Sequence, residues 1–164
     1  MKPLVFFITG TSGSGKSTLV ENLHENLSYV EVHDFDEGGV PPNADEKWRR
    51  DRTDSWLKKA KEYAQDGKST IICGVSVPSE IKNSSEYDNS LNMHYGFIHI
   101  DSDEIKKRLS SRNWDAKEIQ DNINWAKHIE AEVLLQEDYY VVDGVKNNAL
   151  EVADKFIEWI EKKR

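Results

Sequence analysis

A glycine-rich octapeptide near the start of the chain constrains its fold more than any other feature. Residues 10–17 read GTSGSGKS, which fits the pattern G-x-x-x-x-G-K-[ST], and Thr18 follows. Residues 4–8 are apolar, with the β-branched and aromatic character of a buried parallel strand. After the octapeptide, apolar residues recur at helical spacing, at Leu19, Val20, Leu23 and Leu27. The order of strand, glycine loop and helix predicts a phosphate-binding loop.

The residue types of this loop suit a nucleoside triphosphate. Glycines permit backbone conformations that a Cβ would forbid, so the loop can approach a phosphate chain closely. Its N–H groups then converge on phosphate oxygens at a helix N-terminus, where the helix dipole also favours anions. Lys16 can reach the β- and γ-phosphates, and the Ser17 hydroxyl can coordinate Mg²⁺. The predicted ATP-binding residues of the loop are Gly10, Thr11, Ser12, Gly13, Ser14, Gly15, Lys16, Ser17 and Thr18.

The composition indicates one folded, soluble domain over residues 1–164. Charged residues make up 32% of the chain and hydrophobic residues 37%, and the length allows a sizeable core. The formal net charge of −8 argues against general nucleic-acid binding, which normally needs a basic face. Cys73 is the single cysteine, which excludes an internal disulfide and a multi-cysteine zinc site.

The same bulk features predict the location of the protein. No apolar segment is long enough for a transmembrane helix, so we expect no membrane association. Cleavage of a signal peptide at the N-terminus would remove the phosphate-binding loop, so we interpret the first apolar run as a strand. We therefore expect a cytoplasmic protein, either a monomer or a homodimer.

Four more segments with β-rich composition predict strands, at residues 28–36, 69–75, 95–100 and 139–143. Helical patterns lie between and after them. Five strands that alternate with helices predict an α/β fold, a doubly wound parallel sheet with helices on both faces. In such sheets ligands bind at the carboxyl ends of the strands, so the residues that follow each strand are candidate site residues.

The helices are expected at residues 45–66, from Ser102 or Asp103 onward, after Asp115, and after Asn148. Asp115 has Glu118 three residues later, as in a capping box. In the last helix we expect an inward face formed by Leu150, Ala153, Phe156 or Ile157, and Ile160.

Asp34 and Asp36 stand at the end of the second predicted strand. Residues two apart in an extended segment share a face, so both carboxylates can lie beside a bound Mg-nucleotide. One could hold a metal-bound water, and the other could accept a proton from an attacking hydroxyl. We favour Asp36 as the base or substrate contact and Asp34 for the metal. A solvated acidic loop without chemistry is the alternative.

The helix that follows carries a basic cluster in which Arg49 and Arg52 share a face. An arginine that faces the cleft would suit a substrate carboxylate or phosphate, held by two hydrogen bonds. A solvated helix face explains the same charges equally well. Gly74 follows the third strand and either allows close approach of the substrate or simply ends the strand.

Arg108 and Arg112 are one helical turn apart and point the same way. Arg112 opens a short connection, residues 112–118, that we interpret as a lid. One arginine could stack on a nucleotide base, and the other could reach the transferring phosphoryl group. Ion pairs with neighbouring carboxylates are the alternative. Lys146 follows the fifth strand, where a loop could border the adenine.

These features together resemble the small phosphate-loop kinases, which belong to the P-loop NTPase superfamily and include adenylate-, shikimate- and gluconate-kinase-like proteins. The resemblance extends over nearly the whole chain. It implies a nucleoside-monophosphate-kinase-like sheet with strand order 2-3-1-4-5, ATP and Mg²⁺ as cofactors, and a mobile lid.

The resemblance also implies roles for individual residues. Lys16 and Arg112 would stabilise the transferring group, Ser17 and Asp34 would serve the metal, and Asp36 would contact the substrate hydroxyl. Arg49 or Arg52 would bind a substrate anion, and Gly74 would lie next to the substrate. Arg108 would stack on the base, and Lys146 would border the adenine.

The acceptor of the phosphoryl group is not identified by any motif. We expect residues 34–66 and 76–92 to bind it, and we expect a nucleoside or nucleotide before a sugar acid or another small polyol. A nucleotide-binding regulatory ATPase with a protein partner is the alternative of another class.

Overall fold

The computed structural model describes residues 2–164 as an α/β fold. The strands are β1 Leu4–Thr9, β2 Val30–Asp34, β3 Ser69–Cys73, β4 Asn92–His99 and β5 Tyr139–Asp143. The helices are α1 Lys16–Asn26, α2 Glu46–Gln65, α3 Pro78–Lys82, α4 Ser102–Ser110, α5 Ala116–Leu134 and α6 Ala149–Lys163.

The five strands form one parallel sheet in the order β2-β3-β1-β4-β5, which confirms the predicted fold. The central strand β1 pairs with β3 on one side and with β4 on the other, for example Ile8 with Cys73 and Thr9 with Phe97. All six residues of β1 are buried, which explains its unbroken apolar sequence. Because every strand is parallel, all carboxyl ends lie at one edge of the sheet.

Helices cover both faces of the sheet and create two apolar cores. On one face, α1 and α6 pack on β1 through residues such as Leu23 and Phe156. On the other face, α2 packs through Trp56 and Leu57. Helix α5 contributes to both cores: Ile119, Ile123 and Ala126 join the first, and Ile129 and Val133 join the second.

Strands β1 to β4 differ from their predicted bounds by one to three residues at an end, and β5 agrees with its prediction. Strand β2 ends at Asp34, two residues early, because the Asp36 N–H turns back to Asp34 Oδ1 at 2.8 Å. Strand β4 begins at Asn92, three residues early, because Leu4 at the start of β1 pairs with it. Its polar residue His94 is buried and hydrogen-bonds to Asp138, so the polar pattern there did not indicate a loop.

Side-chain caps determine where most of the longer helices begin. Asp45, Asp101 and Asp115 each accept a backbone N–H from three residues further along the chain. The predicted capping box of Asp115 with Glu118 is confirmed, and Asn148 forms a second one with Glu151. Among residues 2–164, no helix combines the length and the apolar character that crossing a membrane requires.

The predicted inward face of α6 is wrong at one position. Leu150 lies in the first turn and is 62% exposed, whereas Val152, two residues later, is buried with Ala153, Phe156 and Ile160. The helix begins close to the carboxyl edge of the sheet, so its first turn extends past the core.

This difference predicts unequal stability losses within one helix. We expect Leu150→Ala to change the free energy of unfolding by less than about 0.5 kcal/mol, as exposed positions do. Ile160→Ala should cost about 2–5 kcal/mol, because it leaves a cavity beside residues that are fully packed. Urea denaturation of both variants measures the difference, and equal losses would contradict the placement of Leu150.

Candidate active site

The phosphate-binding loop joins β1 to α1 in a backbone conformation that requires glycine. Gly13 has φ 80° and Gly15 has φ 93°, both in the left-handed region. Gly15 is also the N-cap of α1, and no side chain caps that helix. The first turn of α1 carries no acidic residue. The N–H groups of this helix end therefore remain available to an anion.

Lys16 lies across its own loop. Its Nζ donates to the Thr11 carbonyl at 2.6 Å and to Ser14 Oγ at 3.3 Å. Burial lowers the pKa of Lys16 to about 8, and the charges of Asp36 and Asp34 oppose that shift only in part. The nearby carboxylates thus compensate the positive charge of Lys16 only in part, and phosphate oxygens would supply additional negative charge.

Asp34 and Asp36 are positioned by the residue between them. The side chain of Phe35 is buried, and its N–H donates to the Cys73 carbonyl at 2.7 Å, which ties it to β3. Its carbonyl accepts from Arg52 Nε at 2.9 Å and from Trp56 Nε1 at 3.0 Å. Both aspartates line the same cavity as Lys16.

The packing of Phe35 depends on Gly74. A Cβ on Gly74 would lie 2.2 Å from the Cβ of Phe35, so no other residue fits there without moving β2. Gly74 also lines the cavity, as the sequence predicted for a residue at the end of β3. Its role in the structure is to bring the acidic pair close to the phosphate-binding loop.

The cavity has a volume of about 300 Å³ and opens at the carboxyl edge of the sheet. It brings together predicted residues from four segments: the phosphate-binding loop with α1, the end of β2, the end of β3 and the lid. Val75 was not predicted, and Trp114 was predicted only as part of the lid. Its lining consists of Ser12, Gly13, Gly15, Lys16, Ser17, Thr18, Asp34, Asp36, Gly74, Val75, Arg112 and Trp114.

The pKa of Asp36 is raised above its ordinary value. Burial, and then the neighbouring charge of Asp34, raise its pKa, while Lys16 and Arg52 act in the opposite direction. A carboxylate with a raised pKa accepts a proton more readily. Asp34 differs because one of its oxygens already accepts the Asp36 N–H, which orients its carboxylate.

The predicted lid is a tight turn between α4 and α5. The N–H groups of Arg112 and Trp114 both donate to the Leu109 carbonyl, at 3.0 and 3.2 Å, and Asn113 has φ 61°. Asparagine tolerates this left-handed conformation better than most residues. Arg112 lines the cavity and forms no ion pair with any residue of the described chain, 2–164.

Arg108 connects two loops of the site. Its Nη1 donates to the Gly13 carbonyl at 2.9 Å and its Nη2 to the Gly144 carbonyl at 3.0 Å, while Nε pairs with Glu104. The ion pair considered as an alternative is therefore present. Lys146 lies in the turn after β5, where its exposed ammonium is 3.9 Å from Asp143. Base contacts of Arg108 and Lys146 stay predictions.

The structure gives protein partners to both arginines that were expected to bind a substrate anion. Arg49 donates from Nε and Nη2 to the two carboxylate oxygens of Glu80, at 2.9 and 2.7 Å. Its guanidinium lies 5.3 Å from the ring centre of Trp125. Arg52 binds the carbonyls of Phe35 and Glu37. These contacts use Nε and Nη2 of each guanidinium, and anion binding by Arg49 or Arg52 stays a prediction.

Sequence reasoning missed Glu80 and the role of Phe35. Glu80 lies on the short helix α3, in a segment without clear periodicity, and nothing in the pattern marks it as a partner of Arg49. Phe35 could have been recognised, because an apolar residue between two aspartates at a strand end must turn inward. Of the predicted acceptor segment 76–92, the last part lies at the opposite edge of the sheet, where Leu91 adjoins Lys2 and Pro3.

Among residues 2–164, no three histidine, cysteine, aspartate or glutamate side chains converge as a metal site. Mg²⁺ does not need such a cluster, because it is usually held by one or two protein ligands together with substrate phosphates and water. Ser17 and Asp34 offer the hydroxyl and carboxylate oxygens that this ion prefers, and both line the cavity.

The glycine loop, the left-handed glycines and the parallel sheet define a P-loop domain with a kinase-like fold, suited to nucleotide binding. A family model described as an AAA domain matches residues 7–135, which include the loop, the acidic pair and both lid arginines. The chain belongs to this AAA domain family. No curated protein sequence matches the chain.

Solved structures with similar folds include proteins described as kinases. A sugar kinase from Janibacter sp. HTCC2649 is 19% identical, with 97% of this chain and 95% of that chain covered and a TM-score of 0.68. Shikimate kinase from Aquifex aeolicus vf5 is 20% identical, with 98% of each chain covered and a TM-score of 0.65.

A gluconokinase from Sinorhizobium meliloti 1021 is 17% identical, with 99% of this chain and 98% of that chain covered and a TM-score of 0.57. At these identities the likeness establishes the fold. The predicted resemblance to the small P-loop kinases is confirmed at that level.

The low pKa of Lys16 predicts how nucleotide binding responds to pH. Phosphate favours the charged lysine, so binding above pH 8 must take up a proton, and we expect the Kd for ATP to rise about tenfold from pH 7 to pH 9. Isothermal titration calorimetry measures it. Lys16→Arg is the control, because a guanidinium stays charged over this range and its Kd should not change with pH.

The lowered pKa of Lys16 also affects how the stability of the fold depends on pH. The unfolded lysine keeps its ordinary pKa of 10.5 and binds more protons than the folded one between about pH 8 and 10.5. Without nucleotide, this residue therefore makes stability rise with pH in that window. If the stability of the wild type instead fell with pH in this window, and Lys16→Met removed that fall, the result would contradict the burial of the Lys16 ammonium.

Proposed function

We propose that the protein is an ATP- and Mg²⁺-dependent kinase that transfers the γ-phosphoryl group to a small molecule, in the first place a nucleoside or nucleotide. One observation carries this proposal. Asp36, a carboxylate with a raised pKa, shares a cavity of about 300 Å³ with Lys16 and Arg112. A base and two cations are what the transfer of a phosphoryl group to a hydroxyl requires.

The reaction would depend mainly on positioning and charge. The loop amides and Lys16 would hold the β- and γ-phosphates, with Arg112 placed to neutralise charge on the transferring group. Mg²⁺, held by Ser17 and Asp34, would neutralise charge on the phosphates. The acceptor oxygen forms a bond to the γ-phosphorus while the bond to the bridging oxygen breaks, Asp36 takes the hydroxyl proton, and ADP leaves.

The structural neighbours support this class of reaction. The Janibacter, Aquifex and Sinorhizobium proteins are described as a sugar kinase, a shikimate kinase and a gluconokinase, all of which share the fold over nearly the full chain. A sugar-acid acceptor is therefore a second candidate. It would need a cation for its carboxylate, and Arg49, expected in that role, is paired with Glu80.

Loss of Lys16 tests the phosphate-binding role. Lys16→Ala should abolish ADP release in an acceptor screen over nucleosides, nucleotides and sugar acids, because the phosphates lose their main cation. Its melting temperature should not fall, since the wild-type ammonium is poorly solvated. A folded variant with wild-type turnover would contradict the proposal. Nucleotide hydrolysis that no acceptor changes would favour the regulatory ATPase.

Loss of Asp36 tests the base. Asp36→Asn should lower kcat for a hydroxyl acceptor by about 10²- to 10⁴-fold, the usual contribution of a general base. The Kd for ATP should change much less. Asp51→Asn is the matched control, because Asp51 is exposed and pairs only with Lys47 on the same helix. An unchanged kcat of Asp36→Asn with a hydroxyl acceptor would contradict the role of Asp36 as the base.

A further inference from the structure

We propose that Arg52 positions the Asp36 carboxylate for phosphoryl transfer by fixing the backbone on both sides of it. Asp36 lies in a tight turn, residues 34–37, which we call the acidic turn. Arg52 reaches this turn from helix α2 and acts through Asp36, not on the acceptor. The inference rests on the function proposed above, because it explains how that reaction would obtain its base in the required place. It makes Arg52 a positioning residue, where the sequence predicted an anion-binding one.

The guanidinium of Arg52 brackets Asp36. Its Nε donates to the Phe35 carbonyl at 2.9 Å, and its Nη2 donates to the Glu37 carbonyl. These two residues stand immediately before and after Asp36 in the chain. A planar guanidinium holds its N–H groups in a rigid fork, so the two carbonyls that it binds keep a fixed separation. One side chain therefore holds the backbone on each side of Asp36.

Helix α2 in turn holds Arg52 in place. Arg52 lies one helical turn before Trp56, which is buried in the second core. The guanidinium carbon lies 5.4 Å from the ring centre of Trp56, within the range of a cation–π contact. Trp56 Nε1 also donates to the Phe35 carbonyl, at 3.0 Å. The helix therefore presents two ordered side chains to one carbonyl of the acidic turn.

The chain after Asp36 is exposed and rich in glycine. Residues 37–40 are exposed, and Gly38 and Gly39 have φ of 89° and 96°. Two glycines in succession leave the backbone many alternative conformations. The Glu37 carboxylate lies 2.9 Å from His33 Nδ1, but that contact holds the side chain of Glu37 and not its backbone. Loss of the Arg52 contacts would therefore free the segment that carries Asp36.

The competing role for Arg52 is direct binding of an acceptor anion. Its partners are neutral carbonyls, so its positive charge is not neutralised by them. However, those carbonyls occupy its Nε–Nη2 edge, one of the two edges with which arginine can hold a carboxylate. Of the described residues, 2–164, those that line the cavity of about 300 Å³ include Asp36 but not Arg52. Both observations favour the positioning role.

Turnover with a hydroxyl acceptor, measured as ADP release, tests this role. Arg52→Met keeps an unbranched side chain over Trp56 but removes every donor. We expect kcat to fall about 10- to 100-fold, because a small displacement of a reacting group has an effect of this size. The Kd for ATP and the KM for the acceptor should change less than about threefold, since neither ligand loses a contact. Arg50→Met is the matched control, because Arg50 is exposed on the same helix and pairs with Glu46.

Should Arg52→Met not fold, Arg52→Lys provides a second variant. Lysine keeps the charge and the aliphatic stem, but its single ammonium cannot hold two carbonyls as a fork does. We therefore expect kcat to fall about tenfold or more in Arg52→Lys as well. A kcat of Arg52→Lys equal to that of the wild type would overturn the inference.

A double-mutant cycle shows whether Arg52 acts through Asp36. Asp36→Asn removes the base, so the position of that side chain no longer affects turnover. The double variant should therefore have the kcat of Asp36→Asn alone, within about twofold. Losses that multiply in the double variant, together with a raised KM for the acceptor in Arg52→Met, would show that Arg52 binds the acceptor itself. That result would overturn the inference.

Hydrogen exchange reports the same contacts without any reaction. The Asp36 N–H donates to Asp34 Oδ1 at 2.8 Å, and the Glu37 and Gly39 N–H groups donate to the Asp34 and Asp36 carbonyls at 3.0 and 2.8 Å. We expect these three amides to exchange about tenfold faster in Arg52→Met, because the turn opens more often without its anchor. Exchange at the wild-type rate would overturn the inference.

The outcomes separate this inference from the proposed function. A lower kcat in Arg52→Met, with no further loss in the double variant, supports both. If the wild type transfers to an acceptor and Arg52→Met retains its kcat, the inference fails and the kinase remains. If the wild type transfers to no acceptor, the proposed function fails, and the role of Arg52 in transfer fails with it.

Discussion

The pairing of β1 with β3 and β4 determines where every functional side chain lies. Because β1 is buried on both faces, the glycine loop leaves the sheet from its centre, with the strand ends of β3 and β4 on either side. The acidic pair reaches this centre only through the contact of Phe35 with Gly74, which draws β2 in toward the loop. Helices α4 and α5 then place Arg112 and Trp114 over the opposite rim.

The electrostatics of the site follow from this geometry. Lys16 is buried near two aspartates that only partly compensate it, and Asp36 is a carboxylate whose proton affinity is raised. Both groups lie in unfavourable environments, which costs stability. In the proposed reaction, phosphate and a hydroxyl would relieve them. The other arginines of the cleft, Arg49 and Arg52, have hydrogen-bond partners within the chain. The groups that lack full compensation are therefore Lys16 and Asp36, which line one cavity.

Local patterns in the sequence predicted the fold well. The apolar run at 4–8, the glycine loop and the alternation of strands and helices were sufficient for the sheet and the phosphate-binding loop, because these depend on neighbouring residues. Partners distant in sequence could not be predicted. Glu80 neutralises Arg49 across 31 residues, and Leu150 is exposed because of where the sheet ends. Both depend on tertiary placement, which periodicity does not report.

The short turn that carries Asn113 has a consequence for water. Three residues between the cap of α4 and the cap of α5 are too few to form a flap over a cavity of about 300 Å³. A kinase must still keep water from the γ-phosphorus, since water competes with the acceptor. In the proposed reaction the acceptor itself would therefore have to close the site, so that exclusion of water and recognition of the acceptor would depend on the same contacts.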